Sequence, residues 1–276
     1  MATGSARTAD AAPFQILGPL LVCDPVSGED LTVRPRLPRR VLAVLLLHAG
    51  RPCQASWLAE AIWDRRQPAD PAGALRSVIY SLRRSLGTLG QRLESPGNGY
   101  LFAADDEETD LGRFRRLARD GREAWYRGDA GEASRLLSAA SGMWREPALA
   151  DLPPTAALSG IIRQLGRERA DAQDLHVDAR LLLGEHRGVI GELRGTVVGD
   201  PLREHAWAQL MLALYRDGRR DAALDAFCDA RAALQRGYGT GPGPELAELR
   251  RQIAAGRLPL PGRDRVRDGP DSSTGG

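Results

Sequence analysis

The chain has 276 residues, 42% apolar and 27% charged, a balance that suits a globular protein of about two domains. Its 38 basic residues are all Arg, which excludes the chemistries that need a Lys, such as a P-loop or a Schiff base. The net charge of +2 is unevenly spread: residues 1–104 hold 12 Arg against 8 acids, residues 105–262 hold 23 against 25, and residues 263–276 hold 3 of each. A basic first part suits an anionic polymer as partner.

Cys23, Cys53 and Cys228 are scattered without CxxC spacing, and His48, His176, His186 and His205 form no ligand pattern. Neither a metal site nor a cofactor is expected. The first 13 residues lack the apolar core of a signal peptide and are expected to be a disordered tail, as are residues 258–276. The longest apolar run, 41–47, is far too short to span a bilayer, so a cytoplasmic protein with no membrane contact is expected.

In chain order, residues 14–19 alternate as a short strand does, and 20–23 and 31–33 read as two more, with 24–29 as the turn between. Residues 39–49 form a helix that is apolar almost all round and is stopped by Gly50. Ser56 is placed to cap a second helix over 57–64. A loop over 65–70 leads to a third helix, 71–87, opened by Pro71. On it Leu75, Val78, Ile79, Leu82 and Leu86 recur at i, i+3, i+4, i+7 and i+11 and form an apolar stripe. Opposite lie Arg76, Ser77, Tyr80, Arg83 and Arg84, a face with three guanidiniums and no acid. Such a face fits the major groove of DNA, or is an Arg-rich surface helix. Strands at 92–94 and 100–103 follow, joined by a turn whose Asn98-Gly99 pair is a hairpin signal.

The acid run 105–110 reads as a solvated linker, with Asp110 as cap of a helix over 111–120. Beyond it the chain reads as helices alone, and it repeats. Residues 125–133 (WYRGDAGEA) line up with 214–222 (LYRDGRRDA), and 181–189 (LLLGEHRGV) is a weaker copy. Tyr215 lies 33 residues after Leu182, close to the tetratricopeptide period of about 34. Leu182 follows Tyr126 by 56, so something is inserted there. Residues 143–154 read as an irregular link, 156–183 as a long helix, 237–244 as a break and 245–255 as the last helix. Trp125, Trp144, Trp207 and Tyr215 read as core. The fold class is therefore mostly α: strands, three helices and a hairpin (α+β) over 14–104, then an all-α domain with a tetratricopeptide-like repeat over 105–257.

The order of strands, three helices and hairpin resembles the winged helix-turn-helix of OmpR/PhoB-type output domains. That resemblance puts the third helix in the major groove and the hairpin wing in the neighbouring minor groove. It assigns base contacts to Arg76, Ser77, Tyr80, Arg83 and Arg84, with Tyr80-Ser81 standing where many relatives carry Ser-Arg. Asn98 and Arg92 become wing contacts. Arg39 and Arg40 either meet phosphate or are simply solvated.

Five motifs widen the resemblance: RVLAVLLLHAG (40–50), LRRSLG (82–87), MWREPALAD (143–151), YRDGRRDA (215–222) and GPGPELAEL (241–249). With them the chain is similar to the Streptomyces antibiotic regulatory protein family, with its bacterial transcriptional activator domain. The resemblance implies an activator of antibiotic or secondary-metabolite gene clusters that binds direct repeats in double-stranded promoter DNA near the −35 element. It also implies self-association on DNA, a dimer, and a place at the nucleoid. Recruitment of RNA polymerase holoenzyme would go through sigma factor, with the alpha subunit as a further candidate. By position, Arg65, Arg66, Gln67 and Asp70 are the polymerase contact. The alternative is a tetratricopeptide-like scaffold whose winged helix contacts protein rather than DNA. An enzyme is not expected, for want of a nucleophile elbow, metal-ligand spacing or phosphate loop.

Overall fold

The structure is a computed structural model, and it describes residues 11–258 apart from Thr32 and Arg65. Most of the chain is helical, and it falls into two compact units. One runs to Glu123 and includes Arg135–Gln173; the other is Ala124–Ser134 with the chain from Asp174 onward.

The first unit opens on β1 (Phe14–Gln15) and β2 (Leu21–Val22), antiparallel, with Phe14 opposite Val22. In the turn after β2, Asp24 accepts from Ser27 N and Val26 N, which holds its carboxyl below the usual range. The strand expected over 31–33 includes Thr32, outside the described residues; pairing there is carried by the Cys23↔Asp30 bridge and a bond from Leu31 N to Val22 O. Of the tail expected over 1–13, residues 1–10 lie outside the described residues, and Ala12 belongs to the fold, buried and accepting from the Gln15 amide.

Helix α1 (Arg36–Leu47) starts before the expected residue 39. Pro35 is its N-cap and Pro38 lies in its first turn, where a backbone N–H has no partner within the helix. The prolines therefore begin the helix rather than precede it. Strand β3 (Cys53–Gln54) was not expected; two residues are too few to show a period. It leads into α2 (Ala55–Trp63), whose N-cap is Gln54, so Ser56 lies inside the helix and caps nothing. Helix α3 (Pro71–Ser85) follows, then a 3₁₀ turn (Gly87–Arg92), β4 (Leu93–Glu94) and β5 (Gly99–Phe102). The wing is a three-stranded antiparallel sheet in the order β3-β5-β4, with Cys53 opposite Tyr100 and Leu93 opposite Phe102. Phe102 meets Phe14 edge to face at 5.0 Å, joining wing and first strand in one core.

The acid run is not a loose linker. Asp106–Glu108 forms a 3₁₀ turn closed by a capping box between Asp105 and Glu108. Helix α4 (Asp110–Tyr126) then begins, capped by Thr109, whose Oγ1 accepts from Gly112 N at 2.9 Å. Asp110 does a different job from the expected cap: buried, it accepts from Ile16 N at 2.8 Å and Leu17 N at 2.9 Å. Burial pushes its carboxyl up to about 6, against the pull of those N–H groups and of Arg145. After α5 (Ala130–Gly142), the irregular stretch 143–154 wraps the first hairpin. Arg145 N bonds Leu17 O, Leu149 N bonds Gly18 O, and Asp151 Oδ1 accepts from Leu20 N. Helix α6 (Ala156–Leu182) is the long helix expected.

The second unit packs α7 (His186–Gly199), α8 (Glu204–Arg216), α9 (Arg220–Tyr238) and α10 (Pro244–Ala255) in sequence. Val189, Leu193, Trp207, Met211, Leu214 and Phe227 anchor its core. The helix α9 continues through Gly237, so the break is shorter than expected. Leu258 also belongs to the fold, its carbonyl accepting from the Tyr215 hydroxyl at 3.1 Å. The repeat is present and sharper than its sequence alignment. Gly128, Gly184 and Gly218 all take positive φ, from 80° to 88°. Each closes its turn by the same two bonds: Gly128 N to Trp125 O and Asp129 N to Ala124 O, Gly184 N to Leu181 O and Glu185 N to Arg180 O, Gly218 N to Tyr215 O and Arg219 N to Leu214 O. This is a glycine-terminated helix end in which left-handed backbone is required. Trp125, Leu181 and Tyr215 are thus equivalent, one residue off the register that set Trp125 against Leu214. Gly184 and Gly218 lie 34 apart. Of the four aromatics read as core, Trp144, Trp207 and Tyr215 are buried and Trp125 is half-buried.

Candidate nucleic-acid interface

Helix α3 is set by its first turn. Asp70 accepts from Gly73 N at 2.9 Å, and Pro71 supplies a preformed φ. Leu75, Ile79 and Leu82 are buried and fix the helix against α1 and α2, while Val78 is half-buried at the edge of the stripe. The opposite face divides into two kinds of side chain. Arg76, Ser77, Tyr80 and Arg84 are exposed, Tyr80 by 64%. Arg83 is not: its Nε and Nη2 bond Leu93 O at 3.2 and 2.7 Å, and Nη2 bonds Ser95 Oγ at 2.9 Å. Its fork holds the helix to the wing, so the guanidinium expected at a base is engaged within the fold.

The hydroxyls are also sorted. Ser77 Oγ donates to Gly73 O and Ser85 Oγ to Ser81 O, so both protons are turned back onto the helix. Tyr80, Ser81, Arg84 and Ser85 line an open notch of 340 Å³. Ser85 was not singled out in the sequence; its spacing of four from Ser81 was the available signal.

At the wing tip Asn98 is exposed, and its backbone carbonyl accepts from Ala55 N. Gly99 is required by close approach: a Cβ there would lie 2.5 Å from Cys53 O. Arg92 turns away from the wing face. Its Nη1 bonds both Glu108 oxygens at 2.8 Å, and its guanidinium lies 5.6 Å from the Phe14 ring. Arg39 and Arg40 are likewise engaged inside the first unit. Arg39 bonds Asp151, Val33 O and Leu20 O. Arg40, 8% exposed, bonds Ile62 O and Pro153 O, and burial lowers its pKa. These three arginines are engaged within the first unit, where DNA, or for Arg39 and Arg40 simply solvent, is expected from the sequence. On the loop before α3, Arg66 and Gln67 are exposed, Asp70 is occupied as the cap, and Arg65 lies outside the described residues.

Among the described residues no group of three or more His, Cys, Asp or Glu is placed to hold a metal ion, and no helix is long and apolar enough to cross a membrane. The face that remains carries the exposed guanidiniums of Arg76 and Arg84, a phenol ring and a polar notch, and α3 contains no acid. It can donate hydrogen bonds to anionic oxygens or to base edges.

Residues 109–254 match the family model described as the bacterial transcriptional activator domain. The chain is 32% identical over 249 residues to the regulatory protein DnrI of Streptomyces peucetius, covering 87% of this chain and 91% of that one. It is 33% identical over 246 residues to the regulatory protein AfsR of Streptomyces griseus, covering 89% of this chain but 25% of AfsR. Among solved structures it is similar to Mycobacterium tuberculosis EmbR in complex with a low affinity phosphopeptide, with a TM-score of 0.84 and 31% identity, over 90% of this chain and 65% of that one.

Proposed function

Because the chain belongs to the Streptomyces antibiotic regulatory protein family, whose members are transcriptional regulators and not enzymes, we propose that it activates transcription by binding promoter DNA through α3 and the wing. The observation that carries this reading is the face of α3, where Arg76, Tyr80 and Arg84 are exposed and no acid lies on the helix, with Asn98 exposed at the wing tip. The sites are direct repeats near the −35 element, occupied by a dimer of head-to-tail protomers one helical turn apart on one face of the duplex. The bound protein recruits RNA polymerase holoenzyme, with Arg66 and Gln67 as the exposed part of the sigma-facing loop and the alpha subunit as a further contact. The controlled genes are an antibiotic or secondary-metabolite cluster, and the protein acts in the cytoplasm at the nucleoid. In functional terms the chain divides into a DNA-binding domain over 14–104 and an activator domain over 105–257, although its compact units divide elsewhere.

The test is footprinting of the whole chain on promoters beside its own gene, with and without polymerase. Protection of two direct repeats, weakening steeply with salt and extended by polymerase, is expected. An Arg76→Ala, Arg84→Ala double variant should lose protection with little change in thermal stability. Protection that survives in that variant would take the DNA interface away from α3. Absence of protection on any promoter, with retained protein partners, would favour the scaffold reading.

A further inference from the structure

Resting on the reading of α3 as the DNA-contacting helix, we propose that direct base readout is confined to the line Arg76–Tyr80–Arg84, with each guanidinium taking a guanine and the Tyr80 ring and its notch taking the 5-methyl group of a thymine between them, while Arg83 only positions the wing.

The geometry selects these three. They stand at i, i+4 and i+8, so each is about 6 Å further along the axis and about 40° further round than the last. The line is therefore about 12 Å long, which matches three to four base-pair steps of about 3.4 Å. Both outer members are exposed cations, and a guanidinium pairs best with guanine O6 and N7. The middle member is apolar over its ring and 64% exposed, with nothing of its own fold packed on most of it. The notch beside it is bounded by Ser81, Arg84 and Ser85, and Ser85 has turned its proton back to Ser81 O. A methyl group is the one feature of a major-groove base edge that such a surface prefers. Arg83 is adjacent to Arg84 in sequence but is held at three points by Leu93 O and Ser95 Oγ, so it sets where the wing stands relative to the helix.

The test is selection of duplexes from a randomised pool by the whole chain, followed by affinities on the selected site with each thymine replaced in turn by deoxyuridine. The selected site should carry two guanines three to four steps apart with a thymine between. Removing that thymine's methyl should weaken binding about 4-fold, the worth of one buried methyl group. Tyr80→Ala should abolish the difference between thymine and uracil, and Tyr80→Phe should keep it. Arg76→Ala and Arg84→Ala should each relax one guanine and weaken binding by about 5- to 150-fold. Arg83→Ala should leave the selected sequence unchanged and shorten the footprint on the wing side, with Arg83→Lys partly restoring it. If the pool yields no preferred duplex, the DNA reading itself fails and this assignment with it. If a duplex is preferred but the thymine methyl and Tyr80→Ala change nothing, or Arg83→Ala alters the selected bases, the assignment is overturned and the function stands.

Discussion

In the second unit one turn recurs after α4, α6 and α8, and its closing bonds span three and five residues. In the first unit the bonds that hold the opening hairpin join residues 93 to 131 apart: Leu17 to Asp110, Ile16 to Asp110, Arg39 to Asp151, Leu20 to Asp151. The repeat unit satisfies its helix ends with glycine-closed turns and with cations from helices 33 to 35 residues away, Arg216 on Leu181 O and Arg220 on Ile253 O. The winged-helix unit satisfies its first strand with side chains that arrive from the activator segment. The difference explains why similar arginines have opposite roles. Arg39, Arg40 and Arg92 sit where acceptors elsewhere in the unit reach them, and Arg76 and Arg84 are exposed.

That contrast is broken most severely at Asp110. Asp110→Ala leaves the Ile16 and Leu17 N–H groups buried without an acceptor, and chemical denaturation should show a loss of about 3 kcal/mol. Because the folded carboxyl titrates at about 6, above its unfolded value, the group favours folding more as pH falls from above 6 toward 4. The stability of wild type minus that of Asp110→Asn should therefore rise over that window; a flat difference would mean the carboxyl is not shifted upward. Next comes the arginine pair. Arg39→Ala should cost about 2 kcal/mol, since it strips Asp151, Val33 O and Leu20 O of a shared donor. Arg84→Ala should stay within about 0.5 kcal/mol. Equal effects on melting would remove the distinction between structural and presented arginines.

In the second unit the turn glycines set a smaller scale. Gly184→Ala meets open space but must hold φ at +88°, and should destabilise by about 1–2 kcal/mol. Gly195→Ala, in the open interior of α7, should instead stabilise by up to about 1 kcal/mol. Matching signs would refute the requirement for left-handed backbone at Gly184. The least effect is at His205, which bonds Asp178 at 3.1 Å and has its pKa raised by that bond. The pair's stabilisation is present below the unfolded value of about 6.5 and lost as pH rises through the folded one. With the ring half exposed, His205→Ala should cost less than about 1 kcal/mol at pH 6 and nothing resolvable well above that range, read by paired melts.

Legibility followed the same division. The α3 stripe and the Asn98-Gly99 wing turn come from spacings of one to four residues, and both stand where the sequence placed them. The repeat was visible too, but its register slipped by one, because apolar letters were aligned where the left-handed glycines set the phase. Strand β3 escaped because two residues carry no alternation. The acid run looked like a linker because nothing near Asp110 in sequence reveals that its acceptors serve Ile16 and Leu17. For the site, exposure of Arg76, Tyr80 and Arg84 follows from the helix period, whereas Arg83 and Arg92 share that basic character and differ through Leu93, Ser95 and Glu108.

The clasp around the first hairpin also has a timetable. At about 5–20 residues per second, a ribosome adds Asp151 roughly 10 s after Phe14. Until then Leu20 N has no carboxylate to bond, Arg39 lacks Asp151 and Arg40 lacks Pro153 O, whereas Ile16 and Leu17 wait only for Asp110. A nascent chain therefore carries α3 for many seconds on a unit whose first hairpin is not yet tied down. Synthesis that stops before Asp110 leaves the Ile16 and Leu17 N–H groups without their acceptor for good, and an end held so loosely is open to proteolysis.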